Sequence, residues 1–122
     1  MLPYKSYLGV DLSTEAIAQA GMQADDRTAF AVADAEGFHS DRRFDLIIFS
    51  QILNYIANPE ELVARYAMAL NPKGRIIVSL YESGRTRSAW TLLEKTMIVE
   101  DAMTVTQAGG ATTTKVLLPR GV

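Results

Sequence analysis

Two aspartates end short apolar runs and stand at the start of the polar segments that follow them: Asp11 closes YLGVD and Asp34 closes AFAVA. The carboxyl end of a buried strand is where open α/β sheets bind their ligands. A carboxylate there can accept hydrogen bonds from both hydroxyls of a ribose, charge-assisted contacts of about 1.5 to 3 kcal/mol each. At Asp34 the carboxylate can accept from an adenine amino group while the Ala35 amide donates to a ring nitrogen. Each residue also has a plainer reading, Asp11 as a second cap beside Ser13 and Asp34 as the cap of a short helical turn. Two strand-end carboxylates on neighbouring parallel strands can grip the ribose and base of one nucleoside, and the pair outweighs the capping readings.

Few other side chains offer chemistry. His39 is the single histidine and alone has an unperturbed pKa suited to base catalysis near neutrality, but its loop, Gly37 to Arg43, reads as solvated. Tyr55 and Tyr81 can each wall a substrate site or simply pack. Arg42, Arg43, Arg85 and Arg87 read as a solvated surface, with Arg85 or Arg87 able to meet an acidic acceptor. One histidine and no cysteine exclude disulfides, thiolate metal sites and multi-histidine metal centres, so no metal is expected.

The elements that must position these residues follow from apolar runs of strand length alternating with segments of helical period, which predicts an α/β fold with a mostly parallel sheet. Tyr7 to Asp11 and Ala29 to Ala33 read as short buried strands, with Ser13 capping the helix between them and Glu15 in its first turn. Phe44 to Ser50 contains the unbroken run Leu46 to Phe49, the pattern of a central strand covered on both faces. Asn58, Pro59 and Glu61 then start a helix, as cap, first helical residue and a side chain that reaches back. Its stripe is Leu62, Val63, Tyr66, Ala67 and Leu70, and its stop is Asn71 to Gly74. Arg75 to Tyr81 is the next strand, followed by a polar loop through Ser83, Gly84 and Arg85 and a shorter helix whose Trp90 reads as core. Residues 102–107 and 112–118 alternate and are β-branched around Ala108, Gly109, Gly110 and Ala111, which predicts a terminal antiparallel hairpin.

The 122 residues fit a single domain, with 48% apolar and 21% charged residues, and a net charge of -2 argues against a nucleic-acid partner. No apolar stretch is long enough to span a membrane and no leader pattern opens the chain, so a cytoplasmic location is expected.

The segments YLGVDLSTEAI, AVADAEGF, FDLIIFSQILNYIANPEELV and ALNPKGRIIVSLY resemble, in order, the second to fifth strand motifs of class I S-adenosylmethionine-dependent methyltransferases of small-molecule type. The resemblance implies a Rossmann-like sheet and S-adenosylmethionine as cofactor. It implies that Asp11 with Leu12 binds the ribose hydroxyls and Asp34 with Ala35 the adenine. Ser50 and Gln51 would border the methionine part and the reacting methyl, and Tyr55 and Tyr81 would border an acceptor. Methyl transfer from a sulfonium requires alignment and exclusion of water more than a protein nucleophile, so no nucleophile motif is expected and the sequence singles out no catalytic residue.

In that family a strand and a glycine-rich loop precede the YLGVD strand and lie between it and FDLIIFS. Here only Met1 to Ser6 precede it, so the fold is expected to be N-terminally truncated. Its strands would then either pair YLGVD directly with FDLIIFS or borrow surface from a second copy, which makes a homodimer the expected assembly. Competing functions are a non-catalytic remnant of the same fold, serving dimerisation or scaffolding, and a nicotinamide-dependent reductase, whose acidic residue after the second strand also binds ribose.

Overall fold

Six strands join in one sheet in the computed structural model, which describes residues 7–11, 28–32, 43–53 and 56–120. The strands are β1 (Tyr7–Asp11), β2 (Thr28–Val32), β3 (Phe44–Ser50), β4 (Leu70–Tyr81), β5 (Met97–Gln107) and β6 (Gly110–Pro119). The helices among the described residues are α1 (Pro59–Ala67) and α2 (Gly84–Thr96). Strand order is β2-β1-β3-β4-β6-β5, with the first four parallel and the last two added antiparallel. The mostly parallel sheet ending in a hairpin is therefore as the sequence predicts.

β1 pairs directly with β3, Tyr7 to Val10 matching Leu46 to Phe49. Of the two ways to satisfy these backbone edges, the chain uses the internal one, and both strands gain a ladder without a second copy.

β3 holds the centre. Ile47 and Phe49 are fully buried on the face that also carries Ile76, Val78, Leu80 and Leu117. Leu62, Val63 and Tyr66 of α1 and Ala89, Trp90 and Leu93 of α2 join them in one core cluster. Tyr66 meets Phe49 edge to face at 5.2 Å between centroids. Coverage is unequal, since Ile48 and Ile77 on the opposite face are only half-buried. The continuous apolar run predicts burial on both faces; the second face is partial.

Several boundaries differ from expectation for tertiary reasons. β2 runs from Thr28 to Val32, one residue earlier than AFAVA. Asn58 sits at the α1 cap position, but its side chain makes no cap hydrogen bond, and only its carbonyl accepts, from the amides of Glu61 and Leu62. α1 ends at Ala67 rather than near Asn71, because the Ala69 carbonyl accepts from the Phe44 amide and draws the chain into the sheet early. In the bend that follows, Lys73 takes the left-handed conformation (φ 68°), not Gly74. Gly74 serves close approach instead, since a Cβ there would lie 2.9 Å from the Asn71 carbonyl oxygen. The predicted polar loop after β4 is the start of α2: Ser83 and Thr86 form a reciprocal capping box. α2 is thirteen residues, longer than α1, and β5 begins at Met97 with no intervening loop.

Candidate functional site

Parallel pairing aligns the carboxyl ends of β1, β2, β3 and β4 along one edge of the sheet. Asp11 is in register with Val32 on one side. On the other, Val10 matches Phe49, so one step further along both strands sets Asp11 level with Ser50. Ser50 in turn matches Ser79 of β4. Asp11, Ser50 and Gln51, which the sequence singles out, thus end adjacent strands at the same edge. Leu12, Asp34, Ala35, Tyr55 and His39 lie outside the described residues.

Ser50 and Gln51 are exposed. Gln51 leaves β3 in the left-handed region (φ 59°), a conformation a non-glycine residue rarely adopts. Two hydrogen bonds hold it. Its amide donates to the Ser79 carbonyl at 2.8 Å, and its Oε1 accepts from the Tyr81 amide at 2.8 Å. Gln51 is therefore a clamp between the ends of β3 and β4, and its carboxamide nitrogen makes no hydrogen bond among the described residues.

Tyr81 is half-exposed at the end of β4, where the sequence puts it, but its hydroxyl is engaged. It donates to the Gly109 carbonyl at 2.5 Å, across to the hairpin turn. The ring lies so close to Gly110 that a Cβ there would fall 1.8 Å from the hydroxyl oxygen. Trp90 is core as read, 8% exposed, with the Lys115 ammonium 4.6 Å from its ring centroid.

A polar chain just past β4 escapes sequence reasoning. Thr104 and Thr113 face each other across the hairpin with hydroxyls 2.9 Å apart, and Thr113 donates to the Glu82 carboxylate at 2.7 Å. The available signal is the recurrence of threonine at alternate positions in both hairpin strands, which matches β-propensity equally well. Among the described residues no group of acidic or histidine side chains could hold a metal ion, and no helix is long and apolar enough to cross a membrane.

Comparison with known proteins bears on the family and the fold. The family model for the methyltransferase domain matches residues 1–78. Phosphoethanolamine N-methyltransferase 2 of Caenorhabditis elegans is 28% identical over 81 residues, covering 62% of this chain; the chain spans 18% of that curated relative's length. The N-methyltransferase NodS from Bradyrhizobium japonicum, solved with S-adenosyl-L-homocysteine, superposes with a TM-score of 0.75 at 14% identity, over 96% of this chain and 79% of that one. A TehB-like S-adenosylmethionine-dependent methyltransferase from Corynebacterium glutamicum gives a TM-score of 0.68 at 21% identity, over 94% and 68% of the two chains.

Proposed function

We propose the function from one premise: the chain belongs to the methyltransferase-domain family, whose model matches its first 78 residues. On that premise the domain transfers a methyl group from S-adenosylmethionine to a small-molecule acceptor. The observation that carries the reading is the alignment of Asp11 with Ser50 at the carboxyl edge of the parallel strands. When bound, S-adenosylmethionine supplies a methyl group on a sulfonium, which leaves as a neutral thioether.

The residues present fit such a group. Asp11, aided by Leu12, takes the ribose hydroxyls, and Asp34 with Ala35 takes the adenine. Ser50 and the carboxamide nitrogen of Gln51 line the methionine side. Holding Gln51 by its backbone amide and its Oε1 fixes that wall before any ligand arrives, which lowers the ordering cost of binding. Tyr55 stands as an acceptor-side wall, and the Tyr81 ring, with its hydroxyl turned to the hairpin, can offer only its face and edge. The net charge of -2 favours a small acceptor over a nucleic acid. The same reading places the domain in the cytoplasm and includes self-association, argued below.

Calorimetry on the chain and on Asp11→Ala tests the assignment. The parent is expected to bind S-adenosylmethionine saturably. The variant should bind about 100-fold more weakly, the loss of two charge-assisted hydrogen bonds at their lower magnitude. Equal affinity of the two proteins rejects Asp11 as the ribose ligand.

A further inference from the structure

On the helix-covered face of the sheet, between α2 and the terminal hairpin, lies a concavity of about 550 Å³. It belongs to the β4-β6-β5 half of the sheet, on the far side of β4 from β1 and β2. Its walls include Glu82, Arg87, Trp90, Thr113 and Lys115.

The charges in it are unevenly satisfied. Lys115 is committed, its ammonium 3.3 Å from Glu94 and over the Trp90 ring. Glu82 is only half committed: Thr113, itself 7% exposed, donates to Oε1, and Oε2 makes no hydrogen bond among the described residues. The Arg87 guanidinium makes neither an ion pair nor a hydrogen bond among the described residues, although its backbone is bonded within α2. Glu82 and Arg87 line one cavity yet do not pair with each other, so their charged atoms stand more than the 4.0 Å of an ion pair apart. A carboxylate and a guanidinium held apart across a concave wall complement a molecule with the opposite charges at a similar spacing. The Thr104–Thr113 hydroxyl pair fixes the carboxylate end, and the small exposed part of the otherwise buried Trp90 indole adds an apolar element to the lining between the charges.

We propose that this crevice binds a small zwitterion, with its ammonium on Glu82 and its carboxylate on Arg87. A guanidinium takes a carboxylate through two parallel hydrogen bonds, which makes the anionic end the more directional of the two. The inference is independent of the methyl-transfer reading, because it uses no residue assigned to S-adenosylmethionine.

Trp90 is the single tryptophan and lines the cavity, so its fluorescence reports on this site alone. The test titrates the 122-residue protein with β-alanine, and with propylamine and propionate as carriers of one charge each. A saturable change in emission is expected with β-alanine, with both single-charge controls at least about tenfold weaker. Arg87→Gln, which removes the guanidinium, and Glu82→Gln, which preserves size and the Thr113 contact, should each weaken β-alanine at least about tenfold, the scale of one lost charge-assisted hydrogen bond. Their thermal unfolding midpoints should match the parent's. The proposal is overturned by an absence of saturation at about 10 mM β-alanine, by equal responses to the three probes, or by variants that bind as the parent does. S-Adenosylmethionine binding measured in parallel by calorimetry separates the two readings, since either can fail while the other stands.

Discussion

Gln51 carries two obligations at once, a strained backbone and a site wall. Left-handed backbone costs an ordinary L-residue about 1–2 kcal/mol, and here the cost is offset by hydrogen bonds to both sides of β4's end. Gln51→Ala keeps the strain and strips the Tyr81 amide of its acceptor, so it should lower stability by about 1 kcal/mol. Gln51→Gly loses the same acceptor but relieves the strain, and chemical denaturation should find it more stable than the alanine variant by about 1 kcal/mol. The reverse order would mean that the neighbouring strand does not impose this conformation. Where Ser50 and Gln51 stand was legible in the sequence, because the apolar run Leu46 to Phe49 stops there. The left-handed turn was not, because it is set by a carbonyl and an amide on β4, some 30 residues further along the chain. Glu82 carries no sequence signal for a similar reason, since only the paired hairpin brings Thr113 to it.

At the scale of elements, strand existence and the hairpin turn were readable from composition, whereas helix ends were decided by contacts. The breakers Asn71 to Gly74 predict a later helix end than the Phe44–Ala69 backbone bond allows, and Ser83, in a segment with loop composition, caps α2. The hairpin shows how an element borrows stability from a neighbour. Gly110 sits at φ 157° beneath Tyr81, so Gly110→Ala meets both a disfavoured backbone and the phenol, and should cost about 1–3 kcal/mol in thermal unfolding. Tyr81→Phe removes only the bond to Gly109 and should cost about 1 kcal/mol. An alanine variant as stable as the parent would show that the clasp does not hold. Arg75 binds Glu100 through two nitrogens, at 2.8 and 3.0 Å, next to the bulge in β5. That hydrogen bonding holds the Glu100 carboxyl below the usual glutamate range. A lowered folded-state pKa stabilises above the ordinary range and ceases to do so as pH falls through the lowered value. Parent and Glu100→Gln should therefore differ slightly near neutrality and converge on acidification, with the difference also shrinking in salt, as urea titrations across pH would reveal.

For the whole molecule, direct pairing of β1 with β3 removes one ground for self-association, since those edges satisfy each other. Another ground remains at the opposite end of the sheet, where β5 is the outer strand and pairs only with β6 among the described residues. Its outer half, residues 102–107, contains no lysine, arginine or proline, the residues that usually guard such an edge. Met103 is 63% exposed and Val105 46%, both on one face. Antiparallel pairing of two copies about a two-fold axis at Thr104 would set Met103 of each against Val105 of the other and Asp101 against Gln107, so no like charges meet. A one-residue slip would move the axis and place Met103 against a threonine, which makes the centred register the better one. Sedimentation velocity should accordingly show a concentration-dependent dimer, and Val105→Lys should shift it to monomer by bringing a charge against Met103 while leaving the fold's core untouched. A parent chain that stays monomeric at about 100 μM would rule the edge out as an interface. A dimer unaffected by Val105→Lys would move the interface to the half-buried face of Ile48 and Ile77, where the sheet still has apolar surface to cover.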